Sequence, residues 1–170
     1  IVSWPYNHRR SARYAKLMPH ELLPEYEYSI WIDSNIRLRM APKLAIRWSG
    51  LRGFAAFKHP DRDCVFQEVK TCIRFRKGRI PKLAAQRIAY QAEKMPLQWG
   101  LASTRSVRRR NTNRIAKLNE LWWEELLKHS ERDQVSLPVV CWRNGFKWSL
   151  IPGQALQCDH YWFMKHGKEL

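Results

Sequence analysis

Tyr26-Glu27-Tyr28-Ser29-Ile30-Trp31-Ile32-Asp33-Ser34-Asn35 forms the sharpest local boundary in the chain. Its first part is rich in aromatic and β-branched side chains, which fit a pleated strand, and Asp33-Ser34-Asn35 is a turn-forming trio. The same order recurs downstream, where the short strand Gly53-Phe54-Ala55-Ala56-Phe57 runs into the polar cluster Lys58-His59-Pro60-Asp61-Arg62-Asp63. Between and beyond these lie helical signals. Ser11 caps a short helix with Ala12, Leu17 and Met18, limited by Pro19 and Pro24. Pro81 starts a helix to about Lys94 with Leu83 and Ile88 facing inward, and Thr112 caps the clearest one, with Ile115, Leu118, Trp122 and Leu126 at helical spacing. Ser130-Glu131-Arg132-Asp133 reads as a cap with an acid at the third position of a helix that Gly145 stops, Pro138 implying a kink or a late start. Phe146 to Ile151 reads as a last strand. Strands alternating with helices predict an α/β fold, and in open α/β sheets ligands bind beyond the carboxyl ends of strands, where both polar clusters fall.

The 170 residues suit one domain, 1–170, with a core large enough to need no cross-links. Lys and Arg number 31 against 15 Asp and Glu, a net +16 that favours polyanions: nucleic acid, anionic membrane surfaces or phosphorylated ligands. Nine tryptophans and 45% hydrophobic residues exclude a wholly disordered chain. No apolar run approaches the ~18 residues of a spanning helix, and Ile1 to Arg10 lacks the order of a signal peptide. Cys64, Cys72, Cys141 and Cys158 contain no CxxC and read as reduced thiols, which points to a cytoplasmic setting. The first residue is Ile rather than Met, so a processed product or a fragment is expected.

Asp33 and Asn35 place a carboxylate and an amide oxygen two residues apart at a strand end, the ligand type that a hard divalent cation on a diphosphate requires. The same triplet also reads as an Asx turn closing a strand. Arg13 and Lys16, three apart, fit either a phosphate contact or a solvated helix face, and Arg62-Asp63 fits a surface turn with its own ion pair.

Taken in order, Arg10-Ser11-Ala12-Arg13-Tyr14-Ala15-Lys16 with Pro19-His20, Leu23-Pro24, and Tyr28-Ser29-Ile30-Trp31-Ile32-Asp33-Ser34-Asn35-Ile36 form a set of motifs. Phe57 to Cys64, Trp122-Trp123-Glu124-Glu125 and Ser130 to Pro138 continue it. The set resembles the glycosyltransferase-like domain of the TOD/MUCI family over about residues 9–145, leaving 146–170 as a C-terminal extension. The resemblance implies a GT-A-like, Rossmann-like sheet with flanking helices, and transfer of a sugar from a nucleotide-sugar donor to a glycan, protein or lipid acceptor. It implies a divalent metal, Mn²⁺ or Mg²⁺, on Asp33 and Asn35, with His160 or His166 as a further ligand. Arg13, Lys16 and Arg62 would neutralise donor phosphates, and Gln134 and Trp122 would lie on the acceptor side. The catalytic carboxylate would be Asp133, ahead of Asp63.

The chain departs from the family pattern at Ser34, where glycine is usual, and at Ala102 and Ser103, where an aromatic residue and Glu are expected. Arg105-Ser106-Val107-Arg108-Arg109-Arg110 replaces an apolar strand, and the first strand and base-holding turn of the family precede the matched part. Two other functions therefore stand beside the transferase: a truncated, non-catalytic remnant, and a basic nucleic-acid-binding module built on the five arginines from Arg105 to Arg114 and nearby Trp99.

Overall fold

The computed structural model describes residues 8–154 and 161–163. In chain order the helices are α1 (His8–Leu17), α2 (Pro19–Leu22), α3 (Pro42–Ile46), α4 (Val65–Arg74), α5 (Ile80–Ala92), α6 (Asn113–Lys128) and α7 (Asp133–Arg143). The strands are β1 (Tyr28–Ile32), β2 (Ile36–Leu38), β3 (Phe54–Lys58), β4 (Ala102–Arg110), β5 (Ser149–Ile151) and β6 (Tyr161–Phe163), and a 3₁₀ segment, Arg47–Arg52, precedes β3. The fold is mixed α/β. One sheet runs β1-β4-β3-β5, with β4 antiparallel to both β1 and β3 and β5 parallel to β3; β2 and β6 pair separately. β1 and β3 therefore point the same way, and their carboxyl ends share one edge with the start of β4.

Alternation along the strands builds two cores. Phe54, Ala56 and Val107 face Leu17, Ile115, Trp122 and Leu137 on the helices α1, α6 and α7. Ala55 and Phe57 face the other way, against Ile36, Ile151 and Tyr161. A third cluster, with Val65, Val69, Leu83, Tyr90, Val135 and Val139, holds α4 and α5 against α7.

The Thr112 cap forms as expected, its hydroxyl accepting from the Ile115 amide at 3.3 Å. Other expectations are corrected. Ser11 lies inside α1, which begins at His8. Ile88 is 67% exposed, and the buried residues of α5 are Leu83, Gln86 and Tyr90. No side-chain cap precedes α7: Arg132 occupies that position without such a bond, Asp133 turns inward, and the helix runs through Pro138. The arginine-rich run remains a strand, and a central one. Arg108 is fully buried, donating to the Ala45 carbonyl and the Tyr161 hydroxyl, both at 2.8 Å. Arg109 is buried between the rings of Phe54 and Trp122. Two of the five arginines expected to meet nucleic acid thus belong to the core.

Candidate functional site

A cavity of about 720 Å³ opens at the edge where β1 and β3 end and β4 begins. α1 supplies Arg13 and Lys16, whose three-residue spacing puts them on one helical face. Trp31, Asp33 and Asn35 come from the end of β1, and His59, Asp61 and Arg62 from the turn after β3. α4 adds Glu68, β4 adds Ser103 to Arg105, and the start of α7 brings in Asp133 and Gln134.

Asp133 is the hub. One carboxylate oxygen receives the Lys16 ammonium at 2.5 Å and the Thr104 hydroxyl at 2.8 Å; the other meets Arg13 Nε at 3.4 Å. Burial alone would raise its pKa, but the Lys16 and Arg13 charges and the Thr104 hydrogen bond outweigh it and hold the group below the usual carboxylate range. A carboxylate so committed accepts a proton less readily than an unpaired one. Asp133 holds two cations at the cavity floor. The Lys16 side chain is 2% exposed and reaches a second carboxylate, Asp33, at 3.6 Å, while lying 5.7 Å from the Trp31 ring centre. Asp33 is one-third exposed at the mouth and accepts the Trp31 indole N–H at 2.9 Å; its backbone N–H donates to the Arg105 carbonyl.

A second network forms the opposite wall. Glu68 accepts from Arg62 Nε at 2.8 Å and from the Gln134 amide at 2.9 Å, and Gln134 also accepts from the Thr104 backbone N–H at 3.4 Å. Burial pushes Glu68 up, but the charge and hydrogen bond of Arg62 pull it below its ordinary value. His59 Nδ1 lies 3.2 Å from the Asp61 and Arg62 backbone amides, and its Nε2 lies 3.0 Å from Arg62 Nη2 and 3.8 Å from Glu68. Burial and then Arg62 lower the histidine pKa, so the ring is neutral near pH 7.

Arg13, Lys16, Asp33, Asn35, Arg62, Asp133 and Gln134 thus meet in one cavity, as the motifs imply. Asp63 does not line it; its carbonyl accepts from the Gly100 amide. Trp122, expected on the acceptor side, is a core residue with no exposed surface, its indole donating to the Asp133 carbonyl and the Ser136 hydroxyl. His160 and His166 lie outside the described residues. Thr104 and Glu68 carry no sequence signal of their own: Thr104 lies just before the Arg105–Arg110 run, and Glu68 lies on α4, whose sequence shows no start or stop signal.

The family model described as TOD1/MUCI70, glycosyltransferase-like domain, matches residues 1–151. The chain belongs to the TOD1/MUCI70 family. The match is wider than the span 9–145 covered by the motifs, and takes in every described strand of the main sheet. No curated protein matches the chain, and no solved structure matches it. Membership makes the domain glycosyltransferase-like, with sugar donors and acceptors as the corresponding class of partner. Among the described residues no helix is long and apolar enough to cross a membrane.

Proposed function

We propose that the cavity is the donor site of a GT-A-like sugar transferase acting on a nucleotide-sugar. The observation that carries this reading is the Asp133-anchored pair Arg13 and Lys16, lining with Asp33, which Lys16 also reaches, and Asn35 one cavity at the carboxyl ends of two like-directed strands. The leaving diphosphate lies over these cations. Arg13, Arg62 and Arg105 offer planar donors to its oxygens, and Lys16 acts from the floor as a point charge. Stabilising the charge that develops on the leaving group is the main work of such a site.

Among the described residues no three His, Cys, Asp or Glu side chains converge on a common point. Asp33 with Asn35 offers one charged and one neutral oxygen at the mouth, which fits Mg²⁺ or Mn²⁺ when phosphate and water complete the shell. When bound there, the cation would supply further charge stabilisation for the diphosphate. Of the cavity's carboxylates, Asp133 and Glu68 are buried in ion pairs and Asp33 faces the phosphates. Asp61, 69% exposed on the rim, is left to meet the acceptor hydroxyl in place of Asp63.

Calorimetry with nucleoside diphosphates and their sugars, with and without Mn²⁺, tests the reading. Wild type binds with metal dependence, Asp33→Ala loses that dependence while staying folded, and Asp61→Asn keeps donor affinity while losing turnover. Equal affinity in wild type and Asp33→Ala would remove the metal assignment, and no binding to a folded wild type would favour the non-catalytic remnant.

A further inference from the structure

A second cavity, of about 630 Å³, lies beside the first and shares Arg13, Lys77 and Arg132 with it. Its walls are cationic on every side. α1 presents Arg9 and Arg10, the turn between α4 and α5 presents Arg76, Lys77 and Arg79, and Lys82 follows on α5. With Arg13 and Arg132 that makes eight cations around one carboxylate, Glu131, which already receives Arg10 Nε at 3.1 Å. The turn is held in an uncommon shape to do this. Arg76 has φ 51°, a left-handed conformation that costs a branched-free but bulky residue energy, and Gly78 has φ 121°. At Gly78 it is this backbone conformation and not space that calls for glycine, since a Cβ there would only touch Leu83 at 3.5 Å and the Arg132 stem at 3.6 Å.

We infer that this second cavity binds a compact, multiply phosphorylated ligand, a function separate from the donor site. Charge density selects the class. A phosphate monoester carries about −1.5 to −2 near pH 7, so a few adjacent phosphates balance this wall within a small volume. A uronic-acid chain brings one charge per ring and a single-stranded nucleic acid one per nucleotide, so either places fewer charges within the span of this one open pocket than a cluster of adjacent phosphates does. Six of the eight cations are arginines, whose forked donors match phosphate oxygens in pairs. The shared ligand chemistry is that of a short inorganic polyphosphate or a polyphosphorylated small molecule.

The test uses the whole chain with tripolyphosphate and inositol hexakisphosphate as probes, measured by calorimetry at fixed salt. Arg79→Glu with Lys82→Glu lowers affinity for both probes at least tenfold, and a saturating nucleoside diphosphate does not displace them from wild type. Should that double variant fail to fold by circular dichroism, Arg9→Gln with Arg76→Asn removes two other wall cations, and asparagine tolerates the left-handed turn. A tighter hexakisphosphate than tripolyphosphate assigns a polyphosphorylated small molecule, and the reverse assigns inorganic polyphosphate. Unchanged affinity in a folded variant overturns the inference, as does displacement by nucleoside diphosphate, which would place the probes in the first cavity. Tighter binding of a heparin oligosaccharide or a single-stranded oligonucleotide than of either probe overturns it in favour of an extended polyanion. Because the readout is probe binding alone, failure of the donor-site reading leaves it intact.

Discussion

Asp133 shows how a side chain that fits one local pattern can serve a tertiary one instead. Ser130-Glu131-Arg132-Asp133 fits a capping box, and nothing within that window reveals that Lys16 and Thr104, far away in sequence, reach the same carboxylate. The local reading failed because the partners are tertiary; the Arg13–Lys16 spacing, which is local, was legible. Removing the anion leaves two cations facing each other at the cavity floor. Asp133→Asn should therefore cost about 3–5 kcal/mol in urea unfolding, the range for breaking a buried ion pair. The pH profile should change with it. Asp133 and Glu68 both titrate below their unfolded values, so the stability they confer is present above about pH 4 and is lost as pH falls through their lower folded values. His59, also lowered, adds a loss that begins below about pH 6.5, because the unfolded ring takes up a proton the folded one resists. The variant should keep the His59 limb and show a shallower loss below pH 4. An acid limb as steep as that of wild type would show that Asp133 is not the group titrating there.

Strand β4 is the element whose sequence misleads most. A run of arginines reads as solvated, yet β4 lies between β1 and β3 and carries Arg108 and Arg109 into opposite cores. By contrast β1, β3 and α6 were legible, since their aromatic, β-branched or helically spaced apolar residues carry the period of the element. The two arginines differ in how well the core receives them. Arg108 makes two hydrogen bonds and sits 4.6 Å from the Trp48 ring centre, leaving only Nε without a partner. Arg109 donates once, to the Lys16 carbonyl at 2.8 Å, and both Nε and Nη2 lack partners; burial lowers its pKa to about 9. An apolar side chain of similar length removes the desolvation cost in both cases but loses more at Arg108. Arg109→Met should thus lie within about 1 kcal/mol of wild type, while Arg108→Met should cost about 2–4 kcal/mol, the worth of two buried hydrogen bonds and their orphaned acceptors. Urea midpoints in the opposite order would mean that Arg109, not Arg108, is the better-received charge.

The net charge of +16 was plain from composition, but its arrangement was not, because it depends on α1, the turn after α4 and the start of α7 arriving at neighbouring walls. The second cavity, lined by cations with a single carboxylate, raises the energy of the folded chain, the first holds a smaller cationic surplus, and an anion that settles in either relieves it. Binding to the folded state alone adds RT ln(1 + [L]/Kd), about 2.7 kcal/mol at a hundredfold excess over Kd. At ~2–4 °C per kcal/mol for a chain of this size, inorganic diphosphate at that excess should raise the melting temperature by about 5–10 °C. Sodium chloride of equal ionic strength should do much less, since screening over ~8–10 Å softens the repulsion without filling either cavity. Arg79→Glu with Lys82→Glu should reduce the diphosphate shift and leave the part due to the first cavity; adding Asp33→Ala in the presence of Mn²⁺ should reduce that part in turn. Equal shifts from diphosphate and chloride would mean that the basic walls act only through their average field, with neither cavity holding an anion.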